Sequence, residues 1–312
     1  MKHFFLKRIL ISVLTLLLIV LVMFILLNAM PGTPFTGRHL KAEQLEVLRR
    51  QYGLDLPVFQ RYFKYLFNLL RGDFGVSYTL QKNMSVAEML RLRLPLTLRI
   101  GLQAMLAGSL IGLFLGIISA VRHNTLLDPL VSVLSLLGSG IPSFVFALGL
   151  MYVLAFRAGL FPVLYSAETP VKSTILPSIA LAMFPMANIA RYTRAEMISV
   201  LSSDYISLAE AKGLSEGRII ARHALRNALI PILTVMAPML VELITGSMVV
   251  ENIFSVPGLG SLFVLSVQSG DYNVSVSIMF LYSLFFIVTM LCVDLLYGFI
   301  DPRIRLSRRE GQ

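Results

Sequence analysis

Few side chains in this 312-residue chain could carry the chemistry of a buried active site. The four histidines, His3, His39, His123 and His223, all lie outside the long apolar stretches. None can therefore join a buried serine as a nucleophile–base pair, and no His-built metal site forms at depth. The single cysteine, Cys292, excludes an intrachain disulfide and a Cys-rich metal site. No G-x-x-x-x-G-K-[ST] run occurs, so the chain has no P-loop of its own. Gly72-Asp73-Phe74-Gly75 contains the letters of the kinase metal-binding motif, but no glycine-rich loop or catalytic-loop motif accompanies it, and the match is chance. Two acids remain in apolar surroundings, Glu242 and Asp294. A charge at the centre of a bilayer costs about 2.5–3.5 kcal/mol, so such groups face protein or a watery cavity. Glu242 is either part of a substrate path or a structural hydrogen-bonding group. Asp294, near the end of its stretch, reads as a structural anchor.

The composition says what must position these groups. The chain is 56% apolar and 14% charged, with mean hydropathy +0.79, against about 25% charged residues in an ordinary soluble domain. Lipid is the solvent that suits it. Six stretches are long enough to cross a bilayer: Ile9–Leu27, Ile100–Val121, Leu130–Phe156, Ser173–Ala190, Ala228–Val250 and Val274–Val293. Strand-period alternation is absent, so helices satisfy the backbone. The fold class is an all-α integral membrane protein with six transmembrane helices. The first stretch is too long for a signal-peptide core, and Asn28-Ala29-Met30-Pro31 offers no small-x-small cleavage site, so residues 1–30 read as a retained anchor.

The net charge of +10 follows topology and does not call for nucleic acid. Lys2, Lys7 and Arg8, then Arg122, then Arg191, Arg194, Lys212, Arg218, Arg222 and Arg226, and finally Arg303, Arg305, Arg308 and Arg309 all fall on one side. The opposite connections carry Arg157 and Lys172 in 157–172 and no basic residue in 251–273. By the positive-inside rule both termini are cytoplasmic. Residues 31–98 hold ten basic and five acidic residues yet fall outside, which the rule tolerates for so long a connection. Within this insertion Leu45, Leu48 and Tyr52 keep helical spacing, and Phe59, Phe63, Phe67 and Leu70 form an apolar stripe beside Arg61 and Lys64. The stripe suits a helix lying on the membrane surface; a small cap packed on the external loops is the equal alternative. Residues 99–300 form the core, with a polar connection at 191–227, and 301–312 a cytoplasmic tail.

Ala104, Gly108, Gly112, Gly116 and Ala120 recur every four residues on one face of the second span, the spacing that lets two backbones approach in lipid, within the chain or against a partner. Gly138, Gly140 and Pro142 in the third span and Pro177 and Pro185 in the fourth loosen those helices, as suits a transporter that must bend. In 191–227, Ala209, Ala211 and Gly213 make a small-residue corner, with Gly213 ending a helix. A second amphipathic stretch, Glu216 to Asn227, leads into the fifth span. Two short helices meeting at a glycine have the shape to enter a cleft on a soluble partner.

The run Ala209-Glu210-Ala211-Lys212-Gly213-Leu214, followed by His223-Ala224-Leu225-Arg226-Asn227-Ala228-Leu229-Ile230-Pro231, resembles the coupling-loop motif of bacterial ABC-importer permeases in its peptide/nickel branch. The general importer form of the motif agrees only at Ala209, Gly213 and Leu225. Further matches run along the chain: Pro31–Gly37, Gly53-Leu54-Asp55, Gly72–Gly75, Ile141–Phe144 and Ala190–Arg194. They continue through Thr245–Ser247, Glu251–Phe254, Pro257–Gly260 and Asp301–Arg305. Together they resemble the B-type permease subunit of an oligopeptide importer. Glu242 departs from that pattern, where a small or apolar residue is expected.

The resemblance implies a type I permease bundle with an extracytoplasmic insertion after its first helix, in a bacterial cytoplasmic membrane. It implies that the corner at Ala209–Leu214, with His223, Arg226 and Asn227, docks into an ATPase, and that a side chain at Gly213 would meet the corner or the cleft wall. It implies as partners a homologous C-type permease, two ABC ATPases that hold the ATP and Mg, and an extracytoplasmic binding protein that delivers oligopeptides. The chain itself would hold no cofactor and be no enzyme. Residues 31–98 and 251–260 are the expected docking surface for the binding protein, and Glu242, Glu251, Pro257 and Gly258 the candidate path or gate residues. Nickel or a metal chelate is the alternative cargo, against which the Pro31–Gly37 and Thr245–Ser247 runs favour peptides. An intramembrane enzyme and a stand-alone receptor fit less well: the histidines are misplaced for the first, and the second has no need of a coupling loop.

Overall fold

The structure, a computed structural model, describes residues 2–29, 42–244 and 248–300. The runs Pro31–Gly37, Thr245–Ser247 and Asp301–Arg305 lie outside the described residues, as does the side chain of Asp294. The elements in chain order are α1 (Lys2–Ala29), α2 (Ala42–Gln51), α3 (Val58–Leu69), α4 (Val86–Val121), α5 (Leu127–Gly140) and α6 (Ser143–Leu150). A π-helical stretch, Met151–Arg157, prolongs α6. Then come α7 (Pro170–Leu201), α8 (Asp204–Ala211), the single turn α9 (Glu216–Arg218), a second π stretch (Ile219–Ala224) and α10 (Leu225–Ile244). The last are α11 (Met248–Ile253), α12 (Leu259–Gln268) and α13 (Tyr272–Ile300). Among the described residues the only strand-like pairing is one antiparallel bridge, Val76 with Ser85.

Five helices are long and apolar enough to cross a membrane, and a bent pair makes a sixth span. That pair is the main departure from the sequence reading, which expects one continuous third span, loosened at Gly138, Gly140 and Pro142 but not broken. The chain breaks at Ile141-Pro142, where Ile141 is extended (φ −87°, ψ 126°) and the two halves meet at 99°. The cause is local: proline's ring pushes the preceding residue out of the helical region, and Pro142 then starts α6 with no amide to satisfy. Pro177 and Pro185 have no such effect, since α7 runs unbroken through both. Helices also outrun the apolar stretches. The α4 helix starts fourteen residues before Ile100, because the amphipathic run with Arg91, Arg93 and Arg99 keeps helical rhythm although it is not apolar. The α7 helix continues past Ala190 to Leu201 for the same reason.

The chain divides into two compact units. The first combines Met1–Thr97 with Pro257–Val288, so part of the expected 99–300 core joins the N-terminal segment. Its core gathers Val20, Phe24 and Leu27 of α1, Tyr62 and Tyr65 of α3, and Val276 of α13. The second unit centres on α7, which packs on α5, α6 and α10 and buries about half its residues. Here the glycine stripe of α4 finds its partner within the chain. A Cβ built on Gly108 would sit 2.8 Å from the Ala182 carbonyl oxygen, on Gly112 2.7 Å from that of Met186, and on Gly116 2.6 Å from that of Ala190. The three carbonyls are themselves four residues apart, so two matched four-residue rows let the backbones touch.

Candidate functional site

The corner at Gly213 is a Schellman closure. The Gly213 amide donates to the Glu210 carbonyl at 2.8 Å and the Leu214 amide to the Ala209 carbonyl at 3.3 Å, and Gly213 takes φ +76°. Those are the two bonds that end a helix through a left-handed residue, with the apolar contact that usually accompanies them. Leu214 packs on Ile206, Ala209 and Ile219. Sequence reasoning has a side chain at Gly213 meet the corner or the wall of a partner's cleft; of these the corner offers no obstacle, since a Cβ there would meet nothing of this chain within 4 Å. The backbone conformation is what demands glycine.

This sorts the corner residues. Ala209 is buried and Leu214 half-buried, so they hold the turn together. Glu210, Ala211, Lys212 and Gly213 are exposed, and beside them Tyr205 and Leu208 present apolar surface at 42% and 56% exposure. Asn227 Nδ2 donates to Tyr205 Oη (3.1 Å) and to the His223 carbonyl (2.9 Å), tying the start of α10 to α8. Arg226 is exposed and His223 half-buried.

Three turns before α8, α7 carries one arm of a clamp that sequence reasoning missed. Asp128, 5% exposed in the first turn of α5, accepts from Arg194 Nε (2.6 Å) and a terminal guanidinium nitrogen (2.8 Å). Ser119 Oγ of α4 donates to it at 2.6 Å, His123 Nδ1 lies 2.9 Å away and the Asn124 amide donates at 3.3 Å. Both carboxylate oxygens are thus occupied, and one buried acid joins the end of α4, the start of α5 and the last third of α7. The sequence reading starts its third span at Leu130, two residues too late to include it. The signal was present in Asp128-Pro129, an acid followed by a helix-starting proline at the edge of an apolar run.

Farther along the second unit, a cavity of about 280 Å³ opens at the break in the third span. Gly138, Ser139, Pro142 and Ser143 line it from that side, with Phe184 of α7 and Glu242 of α10 opposite. Glu242 is exposed there, whereas Glu251 is buried at 1% exposure. Pro257 and Gly258 belong to the first unit, where they lead into α12, whose first amide, Leu259 N, donates to Thr97 Oγ1 at 2.8 Å.

The first unit holds a second missed acid. Asp271, fully buried just before α13, gathers five donors on Oδ2: Ser77 Oγ (2.6 Å), the amides of Tyr78 (3.0 Å), Thr79 (3.0 Å) and Leu80 (3.2 Å), and Thr79 Oγ1 (3.2 Å). Asn273 Nδ2 adds a bond to the Val76 carbonyl at 3.0 Å. The loop at 76–80 of the insertion is therefore moulded on the start of the last span. Tyr78 beside it has its phenol pushed up to about 12 by burial, against the opposing pull of Arg61.

Comparison with known proteins covers nearly the whole chain. The family described as "Binding-protein-dependent transport system inner membrane component" matches residues 112–306, and its N-terminal companion, the membrane component's N-terminal region, matches 1–101. The dipeptide transport system permease protein DppB of Lactococcus lactis is 44% identical over 98% of this chain and 100% of its own length. The oligopeptide transport system permease protein OppB of Salmonella typhimurium is 40% identical over the same shares, and DppB of Bacillus subtilis 39% identical over 99% and 100%. Among solved structures, an inward-facing MetNI methionine ABC transporter chain superposes with TM-score 0.57 at 17% identity, covering 68% of this chain and 96% of that one, which is a likeness of fold. By family match and relatives alike, the chain belongs to the binding-protein-dependent transport system inner membrane components.

Proposed function

We propose that this chain is the membrane permease subunit of an ATP-driven peptide importer, forming half of a translocation path with a homologous second permease. The observation that carries the reading is identity of 44% and 40%, over 98% of the chain, to proteins named as dipeptide and oligopeptide permeases. Those names favour peptides over the nickel alternative. The N- and C-termini face the cytoplasm, and an extracytoplasmic protein delivers the peptide to the side that carries 31–98.

The corner at Gly213 is the seat of one ATPase, with a second ATPase under the partner permease. Tyr205 and Leu208 supply apolar contact, and Glu210 and Lys212 supply charge. Closure of the ATPase pair on ATP pushes α8, and the push reaches the bundle because α8 follows directly on α7. The Asp128–Arg194 clamp makes α4, α5 and α7 move together, so the cavity beside Glu242 opens to one side of the membrane at a time. This is a two-state element biased from one end. Glu242, exposed in that cavity, hydrogen-bonds passing peptide backbone.

Uptake tests the reading. A strain lacking the gene loses uptake of a labelled pentapeptide and keeps radioactive nickel uptake. The wild-type gene restores it, and Gly213→Trp does not, although the variant protein reaches the membrane in normal amount. Loss of nickel uptake alone would replace the cargo and keep the architecture. Normal peptide uptake by correctly inserted Gly213→Trp would remove the corner from the mechanism.

A further inference from the structure

One face of α3 is bare. Phe59, Phe63, Phe67 and Leu70 are 61, 65, 55 and 87% exposed. The opposite face is fixed to two spans of the same unit. Tyr62 Oη donates to the Leu17 carbonyl at 2.9 Å, and Tyr65 Oη shares a hydrogen bond with Ser277 Oγ at 3.0 Å. Both rings pack on Phe24, with centroids 5.8 and 5.4 Å away.

Those contacts fix the depth of α3. Leu17 lies ten residues inside Leu27, the last residue of the apolar run of α1, or about 15 Å along a helix rising 1.5 Å per residue. Ser277 lies five residues inside Tyr272, where the last span begins, or about 7.5 Å by the same rise. Held between these points, α3 sits beside stretches of α1 and α13 that the bilayer must cover. The Ser277 mark falls within the 5–10 Å at which an in-plane amphipathic helix rests, and the Leu17 mark lies deeper still, so neither leaves α3 above the bilayer. The neighbouring surface of α1 is bare in the same way, with Leu18, Val22, Ile25 and Leu26 exposed. Cations edge the stripe: Lys64 is exposed, and the Arg71 guanidinium lies over the Phe67 ring at 4.2 Å. Long basic side chains at such edges lay their stems on apolar surface and put their charge among headgroups.

We infer that Phe59, Phe63, Phe67 and Leu70 insert among the acyl chains of the leaflet at the C-terminal end of α1, making α3 an in-plane membrane helix. A cap held above the membrane would leave those four side chains in water, and its tyrosines would not reach a carbonyl ten residues inside a span. The inference rests on the proposed function only for naming that leaflet the outer one. A transporter of any other cargo would make the same lipid contact.

The chain contains no tryptophan, which makes a direct test available. Phe63→Trp in the full chain, reconstituted in phosphatidylcholine vesicles, carries the only indole. Lipids brominated along both leaflets' acyl chains should quench more than half of its emission, as they do for Ile25→Trp on the lipid face of α1. Aqueous acrylamide should quench it several-fold less than Lys82→Trp in the exposed loop. Phe67→Trp repeats the measurement should Phe63→Trp assemble poorly. Quenching by acrylamide as strong as at Lys82→Trp, with no effect of brominated lipid, would overturn the inference and assign the stripe to an aqueous protein partner.

Discussion

Asp128 and Asp271 are both buried acids at the start of a helix, and they are satisfied in opposite ways. Asp128 spreads five interactions over both oxygens, and its main partner is a cation from a helix 66 residues away. Asp271 concentrates five donors on Oδ2, three of them backbone amides of consecutive residues in one loop. Its Oδ1 is buried without a hydrogen-bond partner among the described residues. A buried acid paired with a cation across elements ties those elements into one moving body. A buried acid wrapped by a loop's own amides shapes that loop and leaves the helices free of one another.

The sharpest break in this comparison comes from Asp128. In Asp128→Asn, an amide nitrogen must replace one of two accepting oxygens and face the Arg194 guanidinium. The acid is buried, but the Arg194 side chain left behind keeps 30% exposure and so part of its hydration, which puts the loss below that of a fully buried pair, at about 2 kcal/mol. The loss is read as an earlier thermal unfolding of the purified protein in detergent, together with lost peptide uptake. Replacing both partners, Asp128→Leu with Arg194→Met, should recover much of the stability because no orphan charge is left. Uptake should stay impaired if the clamp transmits force. A double variant no more stable than Asp128→Asn would show that the pair is not what holds α4, α5 and α7.

The two sites also show what a sequence makes legible. Spans, the glycine rows and the corner are written in local rules: apolar length, four-residue spacing and glycine after a helix. Gly108, Gly112 and Gly116 declare close packing from spacing alone, although only the fold shows that α7 is the other surface. Pro142 was legible as a weak point, but the 99° bend was not, since Pro177 and Pro185 carry the same letter inside an unbroken helix. What distinguishes them is tertiary support: Pro177 and Pro185 are both buried in the packed centre of the second unit. The two acids stayed hidden for a different reason. Their partners lie up to 194 residues away, and nothing local about Asp271 announces a loop folded over it. The stripe on α3 was visible as a pattern, while its depth needed Leu17 and Ser277.

Removing the Asp271 carboxylate altogether should have the next largest effect. Asp271→Ala strands the amides of Tyr78, Thr79 and Leu80, the first at a buried residue and the other two at half-buried ones. Leaving such donors unmet costs about 2 kcal/mol. The damage should stay local. Limited proteolysis should cut the 76–83 loop much faster in the variant, while cleavage within 191–227 keeps the wild-type rate. Equal acceleration at both places would mean that the two acids do the same job, and the contrast drawn between them would fail.

The smallest effect is expected from the substitution that is most damaging at the other site. In Asp271→Asn the amide oxygen can occupy the Oδ2 position and keep all five donors, while the amide nitrogen takes the unpartnered Oδ1 position. The change gives up the extra strength of charge-assisted bonds, but it also relieves the cost of a buried charge that has no ion-pair partner among the described residues. The two largely offset, so stability should change by about 1 kcal/mol or less. The measurement is a matched pair of thermal unfolding curves for Asp271→Asn and Asp128→Asn, the same chemical edit at two buried acids. A large shift for Asp128 beside a small one for Asp271 separates an acid that needs its charge from one that needs only an acceptor. If Asp271→Asn unfolds as early as Asp271→Ala, the negative charge itself organises the loop, and the distinction between the two carboxylates reduces to where their donors come from.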